Sequence, residues 1–114
     1  MSIDRFQPGE WNCRAVVHDK TAYLSGIVAD DKTLPMMEQT EQVLAKIDAI
    51  LAQLGTSKSK ILSATVYLAD IEQKDEMNEA WMAWVDSRNL PARAAVGVRL
   101  TSGTLVEIMV TAAL

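Results

Sequence analysis

The sequence is short of the residue types that most often announce a chemistry. It has one cysteine, Cys13, and one histidine, His18, in 114 residues. A single cysteine makes no internal disulfide and completes no structural zinc site. A single histidine leaves no HExxH metal motif and no histidine pair for acid–base cleavage of RNA. The five glycines are scattered, with no loop that would cradle a phosphate, so nucleotide hydrolysis is not expected. No apolar run approaches the roughly 18 to 20 residues that cross a bilayer. The polar start Met1-Ser2-Ile3-Asp4-Arg5 lacks a signal peptide's apolar core, so a cytoplasmic protein is expected. Basic residues are also in deficit, with eleven Lys and Arg against fifteen Asp and Glu and a net charge of −4. Nucleic-acid binding draws its affinity from counterions released by a basic surface, and no basic cluster exists here. A DNA or RNA partner is not expected.

What is present is the composition of an ordinary globular domain, 49% hydrophobic and 23% charged. A chain of this length buries roughly two thirds of its unfolded surface, enough to fold without staples. Nothing resembles a linker, a repeat or a low-complexity tract, so residues 1–114 read as a single domain.

Residues 14 to 28 read as two strands around the turn Asp19-Lys20. Pro35 opens a helix with Thr33 as its cap. Thr40, Val43, Leu44, Ile47, Ile50, Leu51 and Leu54 recur at three- and four-residue spacing along it, and Gly55 ends it. Residues 60 to 68 alternate, with Leu62, Ala64, Val66 and Leu68 on one face. Asp70 and Gln73 resemble a capping box before a second helix, whose buried stripe is Met77, Ala80, Trp81, Trp84 and Val85. Pro91 breaks the chain, and strands follow at about 92–100 and 105–112 with Ser102-Gly103 between them. The order is β-β-α-β-α-β-β, with a further short strand near Ile3 to Phe6. Two helices on a mixed sheet make an α+β layer. The last strands are so apolar that the second sheet face is expected to be buried against another subunit.

Two charged residues interrupt these apolar strands. Arg93 stands between alanines after Pro91, and Glu107 sits in Leu105-Val106-Glu107-Ile108-Met109-Val110, on the face of Leu105 and Met109. A buried carboxylate must be paired or must raise its pKa. Either Arg93 and Glu107 form an ion pair or a subunit bridge, or the guanidinium grips a substrate carboxylate while Glu107 handles a water. Spacing leaves both open. His18 reads as an exposed turn histidine. Cys13 reads as a small packing residue, with only Arg14 nearby to activate a thiol.

The stretches Tyr23-Leu24-Ser25-Gly26, Ala64-Thr65-Val66-Tyr67-Leu68-Ala69-Asp70, Met77-Asn78, Leu90-Pro91-Ala92-Arg93 and Val106-Glu107-Ile108 resemble, in that order, the Rid/YjgF family. The likeness spans nearly the whole chain, and "VLAKIDAILAQLG" and "NEAWMAWV" are most similar to its YoaB-like branch. The resemblance implies a chorismate-mutase-like α+β fold, with a mixed sheet on two helices. It further implies a homotrimer around a central β-barrel, with ligand clefts between subunits. It implies hydrolysis of reactive enamines and imines, such as 2-aminoacrylate and 2-iminopropanoate, to 2-oxo acids and ammonia, without a cofactor or metal. By the same resemblance, Arg93 holds the substrate carboxylate and Glu107 positions the water. Ser25 and Gly26 line the pocket, and the Ala95 backbone contacts the ligand where the deaminase branch often has cysteine. An aromatic ring common in that branch falls at Asn12, whereas this chain has Trp11 one place earlier, and either residue is a candidate for that wall. Lys74 stands where a Phe often opens the second helix. The alternative within the same resemblance is a trimer that binds small carboxylates without turnover. A weaker third is the endoribonuclease or translation-inhibitor role given to some relatives.

Overall fold

The computed structural model of the chain describes residues 2–114. The elements run β1 (Asp4–Pro8), β2 (Cys13–His18), β3 (Thr21–Leu24), β4 (Ile27–Val28), α1 (Met36–Gln53), β5 (Ile61–Leu68), α2 (Lys74–Trp84), β6 (Ala92–Gly97) and β7 (Val106–Ala113). The strands form one sheet in the order β1-β2-β3-β7-β5-β6, and β4 also pairs with β7, alongside β3. β5 and β6 are parallel, joined by a crossover through α2, and the other pairings are antiparallel. Arg93 thus lies on an edge strand and Glu107 on an interior one.

The β2–β3 hairpin turns on Asp19 and Lys20 with φ of 53° and 66°, the doubly left-handed geometry that matches strand twist. In α1 the expected stripe is buried from Thr40 to Leu51, and Met36 and Gln39 extend it toward the N-terminus. Leu54 is only partly buried, at the helix end, and Gly55 follows with φ +81°. Thr33 does not cap the helix. Its backbone N–H and hydroxyl both turn back to the Asp31 carboxylate, and Pro35 occupies the cap position. Asp70 accepts from the Glu72 N–H at 3.0 Å, capping a single 3-10 turn that leads into α2 rather than α2 itself.

One face of the sheet packs on both helices. Ala64, Val66, Leu68, Val106, Ile108 and Val110 meet Val43, Leu44, Ile47, Leu51, Met77, Ala80 and Trp81 in one core. Leu62 is not part of it. The register between β5 and β7 slips at Ile61–Ser63, so Ile61 takes the inward position and Leu62 is 52% exposed. The far face has no covering layer in the protomer, and Tyr23, Val96 and Met109 are each more than two-fifths exposed on it. Among the described residues no helix is long and apolar enough to cross a membrane.

Gln39 is the buried polar residue that ties the loops to α1. Its amide donates to the carbonyls of Leu34 and Gly103 at 3.0 Å, and its oxygen accepts from the Leu105 N–H at 3.0 Å. Gln39→Met keeps the volume but leaves those three groups without partners inside the protein. It is expected to lower unfolding free energy by about 3 kcal/mol. Urea unfolding at fixed protein concentration checks this, and a change below about 0.5 kcal/mol would refute it.

Candidate functional site

The residues singled out in the sequence fall into two groups on different parts of the surface. The first surrounds the break between β3 and β4. Tyr23 pairs with Thr111 and Ile27 with Ile108, so four steps on this side span three on β7. The extra residue bulges the chain at Ser25-Gly26. The Ser25 N–H donates to the Arg14 carbonyl at 2.9 Å, which fixes the bulge against β2. A polar hollow of about 190 Å³ opens there, lined by Gln7, Gly9, Asn12, Arg14, Ser25 and Gly26.

Glu107 stands directly behind Gly26. A methyl group built on Gly26 would overlap the Glu107 Oε2 and lie 3.0 Å from the carboxyl carbon. The glycine is therefore what gives the carboxylate its room. Glu107 is half-buried rather than buried, because it alternates with Val106 and Ile108 and so faces the uncovered side of the sheet. Asn12 and Trp11 separate here. The Gly9 N–H donates to the Asn12 carbonyl at 2.7 Å, closing a tight turn between β1 and β2. Asn12 lies at the hollow, while Trp11 at the turn is 85% exposed and does not line it.

The second group is on β6. Arg93 pairs in register with Ala64, and Ala64 points inward, so the Arg93 side chain runs along the helix side of the sheet edge. Its Cζ lies 5.0 Å from the centroid of the Trp81 ring, and its Nη1 is 3.7 Å from the Met77 sulfur. Burial against these groups pushes the guanidinium pKa below its ordinary value, and the group stays cationic at neutral pH. Among the described residues no carboxylate comes within 4.0 Å of it. A groove of about 820 Å³ opens beside it, with Trp81, Met82 and Leu90 as apolar walls and Asp75, Glu76 and Glu79 at the rim. Ala95 follows two residues on, half-buried on the same side as Arg93.

Arg93 and Glu107 therefore do not form the intrachain ion pair that spacing left open. β5 separates their strands, and the two side chains leave the sheet on opposite faces. His18 ends β2 at the turn, and Cys13 is half-buried and free, in keeping with their bland readings. Sequence reasoning missed Arg14 and Gln7 at the hollow, and it missed the contact of Met77 and Trp81 with Arg93. The four-residue spacing of Met77 and Trp81 marks one helix face. It carries no signal that an arginine from a later strand lies across that face.

Residues 3–114 match the family model described as Endoribonuclease L-PSP. The chain is 46% identical over 99 residues to a RutC family protein of Haemophilus ducreyi, covering 86% of this chain and 85% of that one. It is 41% identical to the RutC family protein YoaB of Escherichia coli, covering 86% of each. A human protein named 2-iminobutanoate/2-iminopropanoate deaminase is 33% identical over 102 residues, covering 83% of this chain and 74% of its own. Among solved structures, a member of the YjgF protein family from Neisseria meningitidis superposes with a TM-score of 0.96 at 39% identity, covering 99% of this chain and 95% of that one. The α+β domain with its mixed sheet and two helices matches that fold, and with the sequence match along nearly its whole length the chain belongs to the Rid/YjgF family.

Proposed function

We propose that the protein hydrolyses small 2-imino acids and their enamine tautomers, of the 2-iminopropanoate and 2-aminoacrylate class, to 2-oxo acids and ammonia without a cofactor. The observation that carries this reading is a pair of half-sites. One is a guanidinium with no carboxylate partner among the described residues, on the sheet edge. The other is a carboxylate lodged against a glycine, on the opposite face. A second copy of the chain is what can join them. The exposed apolar residues Tyr23, Val96 and Met109 offer the surface for that contact. We read the assembly as a homotrimer around a central barrel of sheets. In each cleft, Arg93 and the Ala95 backbone of one subunit face Asn12, Ser25, Gly26 and Glu107 of its neighbour.

In such a cleft Arg93 binds the substrate carboxylate through two parallel N–H donors. Glu107 accepts a hydrogen bond from a water and aims its oxygen at the imine carbon. The water oxygen adds to that carbon, the C=N electron pair moves to nitrogen, and a proton passes from oxygen to nitrogen. Collapse of the carbinolamine breaks the C–N bond, forms the C=O bond as the hydroxyl proton passes to water, and releases ammonia. An enamine first gains a proton at its β-carbon to become the protonated imine. A protonated imine is already electrophilic, so orientation supplies most of the acceleration. The human relative's name supports this reaction class. Such imines arise from pyridoxal-phosphate enzymes, which agrees with a cytoplasmic setting. Phosphodiester cleavage fits less well, because Asp75, Glu76 and Glu79 line the same groove as Arg93 and repel a polyanion.

The test generates 2-iminopropanoate with an amino-acid oxidase in the presence of semicarbazide. The wild-type protein is expected to suppress semicarbazone formation as its concentration rises. No suppression across several amino acids would overturn the hydrolase reading in favour of a trimer that only binds small carboxylates.

A further inference from the structure

Resting on the reading of Arg93 as the carboxylate anchor, we propose that Trp81 and Met77 are positioning residues, which hold the guanidinium in place without spending its charge. A free arginine side chain loses rotamer entropy when it is fixed. Proteins commonly recover this with a carboxylate partner, but such a partner would occupy the donors that a substrate needs. Here the cation is held by groups that do not compete. The Arg93 Cζ lies over the Trp81 ring, 5.0 Å from its centroid, and Nη1 donates to the Met77 thioether, a weak acceptor, at 3.7 Å. Among the described residues the other guanidinium N–H groups have no hydrogen-bond partner, which leaves them open to a two-pronged ligand.

The support is itself rigid. Met77 is fully buried and Trp81 is 6% exposed. Trp81 packs on Trp84 with ring centroids 5.5 Å apart, and the Trp84 indole N–H donates to Asp48 of α1 at 2.8 Å. The alternative position for the guanidinium is also visible, since Asp75, Glu76 and Glu79 line the same groove. Without the indole, Arg93 is free to swing onto one of these acids and be neutralised there. The stack therefore both orients the anchor and keeps it from a competing ion pair.

Calorimetric titration with 2-oxobutanoate, a ligand of the product class, tests this. Trp81→Leu is expected to weaken binding about tenfold, and Trp81→Phe, which restores an aromatic face, to bring it within about threefold of wild type. A second readout does not depend on the leucine variant folding. In ¹⁵N spectra the Trp81 indole cross-peak, identified by its loss in Trp81→Phe, is expected to move on titration of the wild type and to stay still in Arg93→Ala. Trp81→Leu binding like wild type, or an indole peak that ignores bound ligand, would overturn the positioning role while leaving the anchor intact. Undiminished binding by Arg93→Ala would overturn the anchor itself.

Discussion

Arg93→Ala is expected to lower kcat/KM for 2-iminopropanoate about a hundredfold, equivalent to about 3 kcal/mol of transition-state binding. The size follows from what the proposed anchor would lose, namely two charge-assisted hydrogen bonds to a carboxylate that sheds water on entering the cleft. Arg93→Lys should recover only part of the loss. An ammonium is a point charge, without the fork that matches a carboxylate and without the delocalised guanidinium that sits over Trp81. Stability should change little, because the side chain sits at the sheet edge with no carboxylate within 4.0 Å among the described residues. The semicarbazide assay beside a thermal melt separates the two effects. A variant with wild-type turnover would remove Arg93 from the mechanism.

Gly26→Ala is expected to abolish most activity, again by about a hundredfold, with little loss of stability. The added methyl would overlap the end of the Glu107 side chain, and a side-chain end can swing aside where a backbone cannot. The fold therefore accommodates the change, and the carboxylate leaves the position from which it would orient water. Glu107→Gln should fall by a similar factor, and the double variant should be no worse than either single one, since all three remove one function. Gly26→Ala with full turnover would mean that the carboxylate's position behind the glycine is irrelevant. A mixing experiment extends the test to the clefts. Arg93 and Glu107 leave opposite faces of the sheet, so the proposed cleft would take its halves from two subunits. Inactive Arg93→Ala and Gly26→Ala chains, refolded together in equal amounts, should regain about a quarter of wild-type activity, because random pairing joins two intact halves in about one cleft of four. Absence of recovery would rule out clefts shared between subunits.

How much of this was legible in advance depended on how local each cause is. The α1 stripe from Thr40 to Leu51, the stop at Gly55 and the turn at Asp19-Lys20 all depend on neighbours a few residues away, and each appears where its pattern predicts. Arg93 and Glu107 stood out for a similar reason, as charges within apolar strands. Thr33 and Asp70 were read as helix caps from the same kind of pattern, and both failed. Their side chains found nearer partners, Thr33 in the Asp31 carboxylate and Asp70 in the Glu72 N–H of an intervening turn. Leu62 failed because a bulge is a property of two strands together, and alternation along one strand cannot reveal it.

The amino-acid sequence by itself determined both helices, the main strands in their order, the inward stripe of α1 and the identity of the two charged residues, because periodicity and propensity act within a few residues. It did not determine the division of residues 21–28 into β3 and β4. Only the tertiary structure decided that these charges face opposite ways. That outcome depends on how β5 registers with β6 on one side and with β7 on the other, and a shift of one residue in either pairing would turn a side chain to the other face. The same long-range pairing lays Arg93 across Trp81 and Met77, and sets Gly26 over Glu107. Sequence spacing does not encode these contacts, because Gly26 and Glu107 meet only when distant strands pair, and Arg93 meets Trp81 and Met77 only when the sheet closes against α2.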